Sequence, residues 1–446
     1  MNSDTPPITS GTPRARPRVS FRVALGLIAA VALALRLVLL YRARSWSCEL
    51  CDSNYYSLQA NDLAKGKWFL EPFGWNLKHI VKPSAAHPPL MSLYLALWSL
   101  FGFTSFLAHR VAACILGAVA VAVIGLAAKR VTASRHAGLI AAGIAACYPN
   151  LWMNDLNLQA ESIFILTIAV VIERSYAFWH ESSRKNAVLL GLAIALSALA
   201  RAEGLLFFAL VLIPLAVRLK ERSWREKATC VLLAGVAGGA LMAPWVGYNL
   251  SRFANPVYLS VGSGYVMELG NCDTTYDRSS NYYAYWTYEC DRDPQEHGRA
   301  EKIRNRVDES AGEIIRRERA VAYIKDHIAE YPVVVVFRTL RVLDFFRPGD
   351  NVRLNSLVES RDQEYGWTAL WMYYTLTALA LVGLSDLIRK KITVIPFAAV
   401  LISVGITMAI AFGITRYRVG WDVALCVLGA IGIQSLRERF SGERST

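Results

Sequence analysis

The sequence predicts an all-α polytopic membrane protein with about ten transmembrane helices, interfacial helices and two larger outer loops. Apolar residues make up 54% of its 446 residues, and the mean hydropathy is +0.31. Several apolar runs approach the roughly 20 residues that a helix needs to cross a bilayer. The runs are rich in Leu, Ala and Val, and a helix satisfies every backbone polar group in lipid, so we expect helices rather than strands.

The excess of basic residues fits a membrane protein better than a nucleic-acid-binding one. The formal net charge is +13, but Lys and Arg lie largely in short clusters between apolar runs, the pattern that orients membrane proteins. The chain has no basic low-complexity tail and no recognition motif for nucleic acid. We therefore expect membrane lipid, and not nucleic acid, as a partner.

The chain begins with a basic tail, residues 1–22, followed by a first span at Val23–Tyr41. YRARSW follows this span where a signal peptide would have a small-residue cleavage site, so we expect a retained signal-anchor. The Lys and Arg clusters then place both termini, including the C-terminal tail 437–446, in the cytoplasm. The expected location is the plasma (inner) membrane.

The other spans are predicted from apolar runs, and the basic loops between them set their direction. They are Ala108–Ala128, Ala137–Pro149, Ala160–Trp179, Ala187–Ala200, Gly204–Val217, Ala228–Tyr248, Trp367–Leu387, Val394–Gly413 and Val419–Leu436. Residues 23–248 thus form an N-terminal transmembrane module that includes a first outer loop at 42–107. Residues 249–366 form a second outer region, and residues 367–436 hold the C-terminal transmembrane helices.

Three further segments are not counted as spans. Pro89–Phe101 and Pro332–Phe346 are short, and counting either one would place the later basic loops outside, so we expect interfacial or re-entrant helices. Glu301–Ile328 is charged but has apolar residues at helical spacing. That pattern predicts an amphipathic helix lying over the membrane domain.

The eight cysteines divide between the spans and the outer loops. Four fall in spans and are expected to pack as small apolar side chains: Cys114, Cys147, Cys230 and Cys426. Four fall in the outer loops, where an oxidising compartment favours disulfides: Cys48, Cys51, Cys272 and Cys290. Two local bridges and crossed pairs that join the loops both stay open, because sequence alone does not set connectivity.

The first outer loop carries more chemistry than a connector between two spans requires. It holds CELCDSNYYSLQANDLAKGKW and KPSAAHPPL, with Asp52 a few residues past the membrane exit and Tyr55 at helical spacing from it. Lys82 and His87 follow in the same loop. A carboxylate placed there can accept a proton from a hydroxyl or help to hold a divalent metal. The plainer alternative is a solvated acid in a polar loop.

Glu161 is the second candidate acid, at the outer mouth of a span in LNLQAESIFIL. Ionisable residues at the edge of an apolar helix usually face a cavity or a partner. The alternative is an acid in the first turn that complements the helix dipole. Asp155, in the preceding turn, is expected to be a surface charge.

Arginines on the outer face are unusual under the positive-inside pattern, and arginine suits bidentate contacts to phosphate. The candidates are Arg110, Arg201, Arg252, Arg338, Arg341, Arg416 and Arg418. About half are expected to be structural, for example through ion pairs of Arg201 with Glu203 and of Arg418 with Asp422. Arg36 interrupts the first span, and the sequence does not decide whether it faces the protein or the membrane surface.

The order of these motifs resembles a known family. CDSNYYSLQANDLAKG is followed by HPPLMSLYLALWSLFG, HRVAACILGAVAV, LQAESIFIL, the arginine-bearing ARAEGLLFF, APWVGYNLSRFANPVYLS and TRYRVGWD. The chain resembles the GT-C membrane glycosyltransferases over residues 24–436, specifically the dolichyl-phosphate-mannose protein mannosyltransferase-like group, glycosyltransferase family 39. The lack of a large soluble fold after the last span argues against the oligosaccharyltransferase branch.

The resemblance implies transfer of a sugar from a polyprenyl-phosphate carrier, with inversion, to a glycan, lipid or protein acceptor on the non-cytoplasmic face. It implies that Asp52 is the family's catalytic or metal-associated carboxylate. The family often has a second acid directly after this one, but Ser53 stands there in this chain, and the resemblance implies that Glu161 supplies the second acid instead. Lys82 and Arg416 match basic positions associated with the carrier phosphate. The further substrate-binding candidates are His87, Arg110, Arg201, Arg418 and Tyr55, and a divalent metal is the one candidate cofactor.

Two other classes of protein compete with the enzyme. A flippase or other transporter of lipid-linked sugars is expected to show paired broken spans or charges near the bilayer midplane in corresponding halves. Here the candidate polar residues lie at the outer mouth, and no halves are evident, which favours the enzyme. A structural or assembly protein would leave the outer acids and arginines without a role.

Overall fold

A computed structural model describes residues 19–291 and 308–441, and within these ranges the chain confirms the predicted all-α class. Helices are numbered α1 to α19 in chain order. Six of them are long and apolar enough to cross a membrane: Phe21–Arg42 (α1), Phe106–Thr132 (α5), Glu161–His180 (α8), Trp224–Arg252 (α11), Gln363–Arg389 (α17) and Val419–Phe440 (α19).

Shorter helices connect and cover these six. They are Asp52–Ala64 (α2), Pro72–Lys78 (α3), Leu90–Leu100 (α4), Arg135–Cys147 (α6), Pro149–Leu156 (α7), Arg184–Ala200 (α9), Ile213–Val217 (α10), Ser263–Gly270 (α12), Asp273–Tyr276 (α13), Glu309–Asp326 (α14), Tyr331–Val342 (α15), Pro348–Glu359 (α16) and Ile395–Ile410 (α18). Turns of 3₁₀-helix lie at Ala202–Leu205, Tyr288–Cys290 and Thr415–Arg418, and a π-helix lies at Phe208–Leu212.

Serine caps begin many of the helices. In each case the side-chain oxygen accepts a backbone N–H of the first turn, which satisfies one of the donors that a helix start leaves unpaired. Helices α1, α5, α6, α9 and α11 begin this way, after Ser20, Ser105, Ser134, Ser183 and Ser223.

Helices α5, α8 and α19 form the centre of the membrane domain. Between 67% and 78% of their apolar windows is buried, against 22% to 33% for α1, α11 and α17. Small residues permit close packing there. A Cβ atom added at Gly432 would lie 2.0 Å from the Leu379 carbonyl oxygen, and one at Gly383 would lie 2.1 Å from that of Leu428. The second half of α19 therefore packs closely against α17.

The predicted count of ten spans is not confirmed. The predicted spans at 137–149, 187–200, 204–217 and 394–413 correspond to shorter or broken helices. Helix α6 has 13 residues, which is about 20 Å of helix against a hydrocarbon core of about 30 Å. It ends before Pro149, which has no N–H to continue the helix and instead begins α7.

The two short apolar segments are separate helices, α4 and α15, of 11 and 12 residues. The charged outer segment forms α14 from Glu309 to Asp326, and its predicted beginning at 301–307 lies outside the described residues. Residues 1–18 and 442–446 of the predicted tails also lie outside them. The division of the chain into domains stays a prediction.

The expectation that Asp155 is a surface charge is wrong. Helix α7 is buried along its whole length, and Asp155 is 1% exposed. Its Oδ2 accepts a hydrogen bond of 2.8 Å from Nε of Arg36, which therefore faces the protein. Gly117 makes room, since a Cβ there would lie 1.9 Å from the same carboxylate oxygen. The pair ties the first span to α7.

We expect Asp155→Asn to lower the stability of the folded protein by about 3 kcal/mol or more, because it leaves the buried charge of Arg36 without a counter-ion. The double variant Arg36→Met/Asp155→Asn removes both charges and is expected to regain most of that loss. Thermal unfolding of the purified protein measures both. An unchanged unfolding midpoint for Asp155→Asn would show that the pair contributes nothing.

Both outer cysteine pairs are bonded locally, Cys48 to Cys51 and Cys272 to Cys290. Of the cysteines in predicted spans, three are buried and Cys147 is exposed. Because Cys272 and Cys290 are 8% and 1% exposed, we expect non-reducing peptide mapping to recover them as one linked pair. Recovery of both as alkylated free thiols would refute this pairing.

Candidate active site

Arg416 lies at the centre of a group of acidic side chains that come from distant parts of the chain. Its Nε donates to Oε1 of Glu161 at 2.6 Å, Nη1 to Oε2 of Glu359 at 3.0 Å, and Nη2 to Oδ2 of Asp52 at 2.6 Å. The guanidinium fork matches this arrangement because its donors point in fixed, divergent directions. These four side chains, together with Arg201 and Glu203, are called the acid–arginine cluster.

Helix ends position the three acids. Asp52 is the first residue of α2, Glu161 the first of α8, and Glu359 the last of α16. An acid in a first turn is stabilised by the helix dipole, which gives Asp52 and Glu161 a local reason for their place. Arg416 comes from the 3₁₀ turn that precedes α19. With Arg201 and Glu203 from the turn after α9, the cluster therefore forms where five segments meet.

Arg201 is the second cation of the cluster. It forms ion pairs with Glu161 and, at 2.5 Å, with Glu203. Its guanidinium lies 5.1 Å from the ring centre of Tyr417, the neighbour of Arg416. The expected pair with Glu203 is present, and Arg201 also shares Glu161 with Arg416. The two arginines are thus held together by a carboxylate that is 0% exposed.

The open side of the cluster is at Asp52, whose side chain is 34% exposed. Burial acts to raise the pKa of Asp52, but the charges of Arg416 and then His87 outweigh it and hold the pKa of this carboxyl well below its usual range. The carboxylate is therefore ionised under ordinary conditions. It is an acceptor of protons and hydrogen bonds that faces the accessible side of the site.

His87 lies against Asp52. Its Nε2 is 3.6 Å from Oδ1 of the acid, and its side chain is 25% exposed. The ring centres of Tyr55 and Tyr56 lie 5.0 Å and 4.9 Å from that of the imidazole. The phenol of Tyr55 is buried and bonded to Ser84 at 2.8 Å. Tyr55 therefore supports the histidine and does not face the open side.

Lys82 lies on the segment that leads to His87, and its charge acts on Glu309 of α14. Burial raises the pKa of Glu309, and a hydrogen bond from the Ala85 N–H, then Ser84 and the charge of Lys82, offset part of that rise. The Ala85 N–H donates to Oε2 of Glu309 at 2.8 Å. The structure thus places Lys82 near Glu309 of α14, on the segment that leads to His87.

Arg110 and Arg418 are not part of the cluster. Arg110 is 1% exposed and donates to backbone oxygens of Leu156 at 2.6 Å and Ala43 at 3.0 Å. Arg418 is fully buried, pairs with Asp344 at 2.6 Å, and also forms the expected pair with Asp422 at 3.2 Å. Both positions favour a structural role in holding the outer loops.

The residues present do not fit a divalent metal. Across residues 19–291 and 308–441, no group of three or more His, Cys, Asp and Glu side chains is arranged to hold one. The carboxylates that converge near Asp52 instead share a guanidinium, with one oxygen each accepting from Arg416. No step of the proposed chemistry is therefore assigned to a metal ion.

Sequence reasoning missed Glu359 and Arg361. Arg361 is 8% exposed and its Nη2 donates to Oδ1 of Asn154 on α7 at 2.8 Å. Ser360, which lies between Glu359 and Arg361, has a left-handed backbone with φ 53° and ends α16. The side chains on either side of it therefore reach different partners. Neither residue interrupts an apolar run, so no hydrophobic pattern marks them.

Three aromatic residues of the second outer region pack inward. Tyr283, Tyr285 and Trp286 are at most 7% exposed, whereas the neighbouring Tyr288 is 63% exposed. Trp286 stacks on Phe412 with ring centres 5.5 Å apart. Phe412 in turn lies 5.7 Å from Tyr417. This stack braces the turn that carries Arg416.

The chain is an all-α polytopic membrane protein whose fold is similar to that of GT-C membrane enzymes. The profile of the family described as dolichyl-phosphate-mannose-protein mannosyltransferase matches residues 86–248. This match confirms the resemblance to the GT-C family. It includes His87, Glu161 and Arg201, whereas Asp52 and Arg416 lie outside the matched range. No curated protein sequence matches the chain.

Solved structures share the fold. The archaeal oligosaccharyltransferase AglB from Archaeoglobus fulgidus, in complex with an inhibitory peptide and a dolichol-phosphate, is 15% identical, with a TM-score of 0.51 over 96% of this chain. The chain spans about half the length of that protein, 52%. ArnT from Cupriavidus metallidurans in the apo state is 14% identical, with a TM-score of 0.41 over 94% of this chain and 80% of its own. At that score ArnT adds nothing to the assignment of the fold.

Proposed function

We propose that this protein is a membrane glycosyltransferase that moves a sugar from a polyprenyl-phosphate donor to an acceptor hydroxyl on the non-cytoplasmic face, with inversion. The observation that carries the proposal is the convergence of Asp52, Glu161 and Glu359 on Arg416 in a GT-C fold. The family match and the dolichol-phosphate held by a protein of the same fold support the class of donor.

The chemistry needs a base and a place for a leaving phosphate. Asp52 is ionised and faces the open side, so it can accept the proton of the attacking hydroxyl. Arg416 and Arg201 supply positive charge next to it, where the phosphate develops negative charge as the sugar departs. Arg416 has N–H groups beyond the three that bind carboxylates, since a guanidinium carries five. Lys82 adds a cation at the edge of the site.

Glu161 and Glu359 act on the arginines rather than on the substrate. Glu161 is fully buried between Arg416 and Arg201, so it fixes both guanidiniums at one place. Glu359 is 9% exposed and holds the third edge of Arg416. In this proposal the acids hold the two guanidiniums in fixed positions before the reaction begins. Such preorganised charges stabilise the charge that develops in the transition state.

The site lies beyond the end of the first span, and the distribution of basic loops supports a non-cytoplasmic location for it. The lipid tail of the donor would then lie along the apolar surface between spans. The test is turnover by the purified protein in detergent with a panel of labelled polyprenyl-phosphate sugars and hydroxyl acceptors. Glycosylated product with at least one donor supports the proposal. A folded protein that transfers no sugar from any donor contradicts it.

A further inference from the structure

The geometry around His87 joins it to Asp52 as a pair. Asp52, Tyr55 and Tyr56 occupy positions i, i+3 and i+4 of α2, so they share one face of the helix. All three side chains contact the same imidazole: the two tyrosine rings flank it, and the acid lies 3.6 Å from its Nε2. The spacing within α2 thus places three side chains around the imidazole of His87, which comes from a different part of the chain.

The backbone before His87 is fixed from several directions. The Ala85 N–H donates to Glu309 at 2.8 Å, and the Ala85 carbonyl accepts from the Val261 N–H at 2.9 Å. Arg252 donates to the Ser84 carbonyl at 2.6 Å. Two prolines follow the histidine and restrict the chain further. The imidazole is therefore held in place, while a quarter of its surface stays open.

Asp52 would be a weak base if it acted alone. The charge of Arg416 at 2.6 Å stabilises the anion, so protonated Asp52 would give its proton up readily. Imidazole is the side chain that most often takes and releases protons near neutral pH. It lies on the other oxygen of the same carboxylate, Oδ1, while Arg416 binds Oδ2.

We propose that His87 is the final acceptor of the proton released during transfer, with Asp52 passing it on; this rests on the proposed glycosyltransferase function. The acceptor oxygen forms a bond to the anomeric carbon, and the bond from that carbon to the phosphate oxygen breaks. The electron pair leaves with the polyprenyl phosphate. The hydroxyl proton moves through Asp52 to Nε2 of His87, which later releases it to water. This differs from a role for His87 in binding the carrier phosphate.

The charged and titratable groups around the pair come from several elements. Asp52, Tyr55 and Tyr56 lie on α2, Arg416 faces Asp52, and Glu309 reaches the backbone two residues before the histidine. The pKa values of Tyr265 and Tyr288 are raised first by burial, and the charge of Asp52 contributes to the rise. Among these groups, His87 is the one imidazole, and imidazole is the side-chain type best suited to taking and releasing protons in catalysis. The pH dependence of the rate in His87 variants is therefore a specific readout.

The test compares His87→Ala and His87→Gln with His79→Asn. His79 is exposed in a left-handed cap with φ 52°, a conformation that asparagine tolerates, which makes it a matched control. kcat and KM for donor and acceptor are measured across pH. We expect both His87 variants to lose about 10²-fold or more in kcat with little change in donor KM. The acid limb of the pH profile of kcat is expected to disappear, and added imidazole is expected to restore part of the activity of His87→Ala.

Three results would overturn the inference. A large rise in donor KM with kcat retained would make His87 a phosphate ligand. An acid limb that persists in folded His87→Gln would place the proton elsewhere. Rates equal to those of His79→Asn would remove His87 from the reaction. Wild-type protein that consumes no donor is a different outcome, because it rejects the proposed function itself, and the inference with it.

Discussion

Replacing Asp52 by asparagine is expected to abolish sugar transfer while leaving the protein folded. The amide has the size of the carboxylate but cannot take the proton of the acceptor hydroxyl. Loss of a general base typically costs between about 10² and 10⁴ in rate, and we expect kcat to fall by about 10³-fold or more. The measurement is kcat of purified Asp52→Asn with saturating donor and acceptor.

Asp62→Asn is the matched control, because Asp62 lies on the same helix and undergoes the same change. It is buried, and its Oδ2 accepts a hydrogen bond from Asn76 at 2.8 Å, away from Arg416. Burial raises the pKa of Asp62, in contrast to that of Asp52. We expect Asp62→Asn to keep kcat within a few-fold. A folded Asp52→Asn variant with wild-type turnover would remove Asp52 from the mechanism.

Loss of Arg416 is expected to have the second largest effect, on both donor binding and stability. Arg416→Ala leaves Glu161 buried with Arg201 as its remaining cation, and breaking a buried ion pair from one side costs about 3–5 kcal/mol. It also removes the positive charge proposed to bind the phosphate, so we expect donor affinity to fall by about tenfold or more. Donor titration and thermal unfolding measure the two effects separately.

Arg416→Lys tests whether charge alone suffices. An ammonium cannot reproduce hydrogen bonds to three carboxylates in fixed directions, so we expect a loss of affinity close to that of the alanine variant. Arg353→Lys on α16 is the control, because Arg353 is exposed and outside the cluster. Unchanged donor affinity in a folded Arg416→Ala protein would refute the assignment to the phosphate.

The sequence located the members of the cluster that interrupt hydrophobic patterns. Asp52 and Glu161 lie next to apolar helices, and Arg416 lies at the start of one. Because a charged side chain is energetically costly near the membrane interior, each of them is a recognisable candidate for function. Their meeting at one point followed from the resemblance and not from spacing. Glu359 lies in a polar region where an acid costs little, so nothing in the local pattern distinguishes it.

Long-range pairing explains the other differences. Arg36 and Asp155 are 119 residues apart in sequence, and each alone is consistent with several environments. Arg110 and Arg418 looked like phosphate ligands because their residue type and side of the membrane fit. Backbone carbonyls and buried acids prove to be their partners. The count of ten spans is not confirmed, because several predicted spans form helices shorter than a bilayer crossing needs, such as α6, which ends before Pro149.

The most direct measurement is the fate of the donor in proteoliposomes that contain either wild type or Asp52→Asn. Wild type is expected to release unglycosylated polyprenyl phosphate in step with glycosylated acceptor, and the variant is expected to release neither. Intact donor that crosses the bilayer without release of polyprenyl phosphate, equally with both proteins, would contradict this expectation and identify a transporter of lipid-linked sugars.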